Sequence, residues 1–229
     1  MAIENIILDA LHHTRDSFKL KSTNKLYTRE VFYRLSAYKQ EYYSLQSISH
    51  RVDLLKKQRN DTTRVNNIYE KNNILNRIQP DHRVGNCGEY SYIALEYLVE
   101  KSKLIWEIYK KPFDITILEI KCPSGIFDHN FVKLSVNFEL PLTELFKRHY
   151  NSEIWICDLW ANIACLSYNY PQEWKNKMLK WHSNGKLLNT PARICHANES
   201  EIVQLFDNHI NSLKASFNQH VDFTPLSSQ

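Results

Sequence analysis

The chain has 229 residues, of which 43% are hydrophobic, 12% aromatic and 24% charged. This length fits one domain, or a domain with a helical extension, and the aromatic content excludes a wholly disordered chain. The net charge of +4 is dispersed, and basic runs such as residues 56–59 are short, which disfavours a nucleic-acid-binding protein.

Helices are predicted throughout residues 1–80. Hydrophobic side chains recur at helical spacing from Ile3 to Phe18. Thr28 is a predicted N-cap, Ser49 opens another helical stretch, and residues 65–78 form one more.

Residues 81–229 are predicted to mix helices with strands. A helix begins just after Gly85, and three strands follow at Ile115–Lys121, Asn130–Phe138 and Ile154–Leu159. Further elements are predicted as a helix over Leu142–Tyr150, a helix from Pro171 to Trp181, a last helix opened by an Asn198-x-x-Glu201 capping box and reaching Leu213, and a loose tail over 218–229.

The order of these elements predicts an α+β fold and not an alternating, doubly wound one. We divide the chain into a helical N-terminal region, 1–80, and a core, 81–229, which together form one compact unit.

Three segments carry the residues of a nucleophilic site: Gly85-Asn86-Cys87-Gly88-Glu89, Asp128-His129-Asn130-Phe131-Val132 and Trp155-Ile156-Cys157-Asp158-Leu159-Trp160. Cys87 opens a helix, where backbone N–H groups and the helix dipole favour a thiolate. His129 begins a strand and Asp158 ends another. If these strands are neighbours and the helix packs across them, the histidine serves as base and the aspartate orients it.

The remaining cysteines, Cys122, Cys157, Cys165 and Cys195, are predicted to be structural. An odd number of widely spaced cysteines argues against a disulfide framework and predicts reduced thiols.

The three segments resemble the Cys–His–Asp motifs of papain-like bacterial cysteine enzymes, in particular YopT-type effector proteases and effector deamidases. The resemblance covers about residues 81–170 and implies a papain-like fold, in which a central nucleophile helix packs on a small antiparallel sheet. It implies Cys87 as nucleophile, His129 as base and Asp158 as orienting acid. No cofactor and no metal are expected, since the chain has neither a nucleotide-binding motif nor a close pair of metal ligands. It also implies a protein substrate, in a host cell, and a thioester formed on the thiol.

The resemblance does not separate a protease from a glutamine deamidase, and bacterial transglutaminase-like domains share the same order of residues. An inactive papain-like scaffold that binds a protein is a further alternative. A zinc site made by His82 with the three residues is disfavoured because the chain has no close ligand pair. The upstream amides Asn76, Gln79 and Asn86 are candidates for the oxyanion hole, with Gln79 weakly preferred.

The resemblance to effectors implies synthesis in a bacterial cytoplasm followed by export into a host cell. No stretch is long and apolar enough for a membrane span. Residues 1–11 carry Glu4 and Asp9 without a basic region, which is not typical of a Sec signal peptide.

Overall fold

A computed structural model describes residues 2–136, 138–148 and 153–224. It confirms the α+β class, with helices packed on two antiparallel sheets. The helices are α1 (Ile3–Ser17), α2 (Arg29–Phe32), α3 (Ala37–Tyr42), α4 (Leu45–Thr62), α5 (Ile68–Arg77), α6 (Cys87–Glu100), α7 (Ser102–Tyr109), α8 (Tyr170–Ser183), α9 (Ser200–Val203) and α10 (Leu205–Asn208). The strands are β1 (Lys25–Tyr27), β2 (Phe113–Lys121), β3 (Asp128–Ser135), β4 (Ile154–Asp158), β5 (Ile163–Leu166), β6 (Lys186–Asn189), β7 (Ile194–His196) and β8 (Lys214–Val221).

The larger sheet positions the candidate site. Its strands follow the order β5-β4-β3-β2-β8, and each neighbouring pair is antiparallel. Helix α6 packs against β2, β3 and β4, and α1 packs against α6, β4 and β5. The start of β3 therefore lies beside the end of β4, because antiparallel neighbours run in opposite directions.

The smaller sheet joins the two parts of the sequence. Strand β1 pairs with β6, which also pairs with β7. The pattern did not predict these strands, since β1 has three residues and its partner lies about 160 residues along the chain. The region 1–80 is therefore not purely helical.

Residues from both parts of the chain share one hydrophobic core. Ile7 and Leu11 of α1 belong to the same buried cluster as Leu95 of α6 and Ile156 of β4. The Cys157 thiol lies 3.7 Å from the carbonyl oxygen of Ile7, which shows how closely α1 approaches the sheet. Helix α1 is thus part of the support behind the candidate site.

The predicted C-terminal structure is wrong in three respects. The last helical region is two short helices, α9 and α10, and the N-cap is Glu199 and not Asn198. Residues 214–221, partly assigned to a tail, form strand β8, which completes the edge of the sheet beside β2. Its sequence is mostly polar because most of the strand is exposed, so it lacks the hydrophobic alternation that marks a half-buried strand. Residues 225–229 lie outside the described part.

Other predicted elements need smaller corrections. Helix α4 begins after Ser44, whose side chain accepts a hydrogen bond from the Ser47 amide, and not at Ser49. Only a 3₁₀ turn, Leu142–Glu144, forms in the described part of the predicted helix over 142–150, and residues 149–150 lie outside it. Strand β3 ends at Ser135, before the predicted Phe138.

Two further elements, α7 and β5, were not predicted, whereas α1, α6 and α8 were. Within the described residues, no helix combines the length and apolar character that crossing a membrane requires.

Candidate active site

Cys87 is the first residue of α6, as the sequence predicts. The first turn of a helix leaves its backbone N–H groups without intrahelical partners, so the amides of Cys87 and Gly88 are available to an incoming group. The thiol is half-buried and free. Sulfur, amides and the positive end of the helix dipole thus meet at one point.

Glu89 fixes this helix start. Its carboxylate accepts a 2.9 Å hydrogen bond from the Asn86 backbone N–H and pairs with Arg59 Nε at 2.7 Å. The side chain is 7% exposed, so Glu89 caps the start of the helix. Asn86 is held in turn by Ser22 Oγ, which donates to its Oδ1 at 2.9 Å.

His129 is the second residue of β3 and is fully buried. Its ring lies in an aromatic cage whose nearest centroids belong to Trp174, at 4.8 Å, and Trp160, at 5.3 Å. Nε2 faces Asp158 Oδ2 at 2.9 Å. Nδ1 is buried and has no hydrogen-bond partner among the described residues, and the neighbouring Cys87 contributes to raising the pKa of the ring.

Asp158, the last residue of β4, is also fully buried. Each described group that contacts its carboxylate can donate a hydrogen bond to it. Oδ2 accepts from His129 and from the Tyr170 hydroxyl at 2.7 Å, and Oδ1 accepts from the Ala161 backbone N–H at 2.9 Å. Three donors fix both the position and the orientation of this carboxylate. Asp158 therefore holds the imidazole in place.

Electrostatics favour a charged His129–Asp158 pair. Burial alone lowers the pKa of His129, but the Asp158 charge, the hydrogen bond to Asp158 and the contribution of Cys87 raise the pKa to about 9. Burial raises the pKa of Asp158, and the charge and hydrogen bond of His129, with the bonds from Ala161 and Tyr170, lower it overall. At neutral pH the imidazole is therefore protonated and the carboxylate ionised.

An open cleft of about 380 Å³ gives access to Cys87. Its walls come from the segment before β1, from α4, from the start of α6, from the start of β3 and from the loop after β6. Polar lining residues include Asn24, Asp128, Asn130 and Thr190. The sulfur is thus the reactive atom that solvent and substrate reach, while His129 and Asp158 lie behind it.

No family model, curated protein or solved structure matches this chain in the comparisons. The structure brings Cys87, His129 and Asp158 together, as the three motifs predict. Asn86, the third upstream amide considered from the sequence, lines the cleft, but its Oδ1 accepts from Ser22 and its Nδ2 donates to Thr23 Oγ1, so its amide is already bonded within the protein. The other residues considered from the sequence as oxyanion-hole or metal-binding groups lie elsewhere.

Gln79 and the exposed His82 line a separate cavity of about 400 Å³ beside α4. Asn76 donates to Glu96 on the outside of α6. These positions argue against Gln79 and Asn76 as oxyanion-hole residues, and against His82 as a ligand beside Cys87.

Sequence reasoning missed Asn24, which lines the Cys87 cleft. Trp160 Nε1 donates a hydrogen bond of 2.8 Å to Asn24 Oδ1. Because an indole N–H can only donate, this contact identifies which side of the Asn24 amide is the oxygen. In the described part of the chain, no residue accepts a hydrogen bond from Asn24 Nδ2, which leaves this donor available on a residue that lines the cleft. No motif marks Asn24, because the β1–β6 pairing and the bonds from Ser22 to Asn86 bring it there.

Proposed function

We propose that this chain is a papain-like cysteine enzyme of the effector protease or deamidase type, acting on an amide carbonyl of a protein substrate. The observation that carries the proposal is the position of His129, between a fully bonded Asp158 and the accessible thiol of Cys87. A general base that is itself oriented by a third group is the arrangement that activates a nucleophile.

The first half of the reaction forms a thioester. In the resting enzyme His129 already holds the proton of the Cys87 thiol. The sulfur attacks the amide carbon, and the carbonyl oxygen becomes an oxyanion. The Cys87 amide and Asn24 Nδ2 donate hydrogen bonds to it. His129 then protonates the amide nitrogen, the carbon–nitrogen bond breaks, and an amine or ammonia leaves.

The second half releases the product. Water attacks the thioester while His129 removes one of its protons, the carbon–sulfur bond breaks to release the carboxylic acid, and the sulfur is restored beside the protonated His129 as in the resting enzyme. A peptide amine as leaving group makes the reaction proteolysis, and ammonia from a glutamine side chain makes it deamidation. Asp158 stays ionised and orients the imidazole throughout.

The open cleft supports a protein substrate. Amide and hydroxyl groups of Asn24, Asn130 and Thr190 line it, and such groups suit the hydrogen-bonding pattern of an extended backbone. The effector resemblance adds that the substrate belongs to a host cell, and that this chain is made in a bacterial cytoplasm before export.

The experiment treats a eukaryotic cell extract with the wild-type protein, with Cys87→Ala and with Cys165→Ala as a matched control, followed by intact mass spectrometry. Fragments indicate a protease, and a gain of about one mass unit, from replacing NH₂ by OH, indicates a deamidase. An amine adduct or a cross-link indicates a transglutaminase-like reaction on the same thioester route. The proposal is overturned if no protein changes mass in a Cys87-dependent manner, and tight capture of one unmodified protein would then favour the inactive-scaffold alternative.

A further inference from the structure

A third cavity, of about 500 Å³, is lined by Trp160, whose ring centroid lies 5.3 Å from that of His129. The end of α1, the segment leading to β1, the turn after β4 and one side of α8 form its walls. Cys87 is not among its lining residues. Its basic lining residues are Arg15, Lys19, Lys21, Lys25, Lys177 and Lys186.

This cavity concentrates the positive charge of the molecule. Six cationic side chains and one carboxylate, Asp16, give a formal charge of 6 − 1 = +5. The whole chain has a formal charge of +4, so the rest of the molecule amounts to −1. Six of the 29 basic residues, dispersed in the sequence, are therefore gathered by the fold into one concave site.

Within the described part of the chain, these cations have no direct ion-pair partner, although the charge of Asp158 acts on Lys25 and Lys177 and that of Glu173 acts on Lys177. Across the described residues, none of the six forms an ion pair with a carboxylate. They contact neutral groups instead: Lys25 Nζ lies 4.4 Å from the ring centroids of Trp160 and Trp181, and Lys177 donates to the Asn162 carbonyl at 3.3 Å. The ammonium groups thus keep their capacity to bind an anion.

Mutual repulsion adds to this. Burial, followed by the charge of neighbouring cations, lowers the pKa of Lys25, Lys177 and Lys186. An anion placed among them would relieve the repulsion and stabilise their charged forms. The folded protein therefore holds a repulsion among these cations that a bound polyanion would reduce.

We propose that this cavity binds a small polyanion carrying several phosphate groups. Lysine is a common phosphate ligand, and Arg15 adds a planar guanidinium that suits phosphate geometry. One monovalent carboxylate would leave most of the +5 uncompensated. A nucleic acid would instead fit an extended basic stripe, whereas these cations converge on a cavity the size of a small-molecule site. This site stands independently of the reaction proposed for Cys87.

Isothermal titration calorimetry at about 0.15 M ionic strength tests the proposal, with inorganic tripolyphosphate, ATP and inositol hexakisphosphate as separate probes. The variant is Lys177→Glu/Lys186→Glu. The control, Lys175→Glu/Lys103→Glu, makes the same change in net charge, and neither of its lysines lines the cavity. Circular dichroism confirms that both double variants fold, and Lys177→Gln provides a milder change.

We expect at least one probe to bind the wild-type protein, with affinity reduced at least about tenfold in the cavity variant and by less than about twofold in the control. Binding of tripolyphosphate would show that phosphate groups alone suffice. Binding of ATP without tripolyphosphate would show that the base contributes, and binding of inositol hexakisphosphate alone would show that a clustered polyphosphate is needed. The proposal is overturned if no probe binds up to about 1 mM, or if both double variants weaken binding equally.

Discussion

Replacing Asp158 by asparagine keeps the shape of the side chain and removes its charge. Oδ1 of Asp158 accepts from the Ala161 amide, and Oδ2 accepts from both His129 and Tyr170. An asparagine has one acceptor oxygen, so its NH₂ group must face donors on one side. If the asparagine oxygen keeps its hydrogen bond from the Ala161 amide, the NH₂ group faces His129, and Nε2 has to accept a hydrogen bond from it. The ring proton of the neutral imidazole then lies on Nδ1. Nδ1 is the nitrogen that should hold the proton of Cys87.

The size of the effect follows from the pKa of His129. A rise from about 6.5 to about 9 corresponds to about 3 kcal/mol in favour of the imidazolium, at 1.36 kcal/mol per unit. Without the Asp158 charge, burial is opposed only by the smaller contribution of Cys87, so the pKa of His129 should fall below its ordinary value. We expect Asp158→Asn to lose about 3 kcal/mol of stability near pH 6 and about 10³–10⁴-fold in turnover.

The assay is an NMR titration of the His129 ring in both proteins, with unfolding by urea as the stability readout. The wild-type ring should titrate near pH 9, and the ring of the variant below about 6.5. Similar titration of His129 in the two proteins would refute the electrostatic reasoning. A folded variant with undiminished turnover would refute the orienting role of Asp158.

Three other predictions concern the same site. Cys87→Ala and His129→Ala should each abolish Cys87-dependent mass changes without unfolding the chain. The residual activity of the double variant should be no lower than that of either single variant, because the two residues act as one unit. Additive losses of activity would contradict this. Asn24→Ala should lower turnover about 10²–10³-fold if Nδ2 stabilises the oxyanion, and full activity in this variant would remove Asn24 from the mechanism. The folded-state pKa of His129 is raised and that of Asp158 is lowered, so the pair should contribute most to stability between about pH 4 and 6.5. Unfolding by urea should show that this contribution is lost as the pH rises towards 9 and as it falls into the acid range. An unchanged pH dependence of stability in Asp158→Asn would contradict this prediction.

The sequence predicts those parts of the fold that local patterns encode. The hydrophobic face of α1, the glycine-flanked start of α6 and Pro171 in the first turn of α8 are all local signals, and these helices are confirmed. The positions of Cys87 at a helix start and Asp158 at a strand end follow from the same kind of signal.

Features made by long-range pairing could not be predicted in this way. Strand β8 is a mostly exposed edge strand, and β1 is recognisable only through its pairing with β6. Asn24 reaches the cleft through that pairing, and the basic cavity gathers cations from positions as distant as Arg15 and Lys186. Neither the oxyanion candidate nor the cavity has a motif, because contacts across the fold create both.

The most direct test of the central claim is limited alkylation by iodoacetamide near neutral pH, followed by peptide mapping of all five thiols. Burial raises the pKa of Cys165 to about 12 and that of Cys195 to about 11, whereas Cys87 is accessible beside His129. We predict that Cys87 is labelled first and that its labelling slows in His129→Ala, while the unfolded protein labels all five alike. Labelling of Cys165 or Cys195 with Cys87 protected, in the folded protein, would contradict the account.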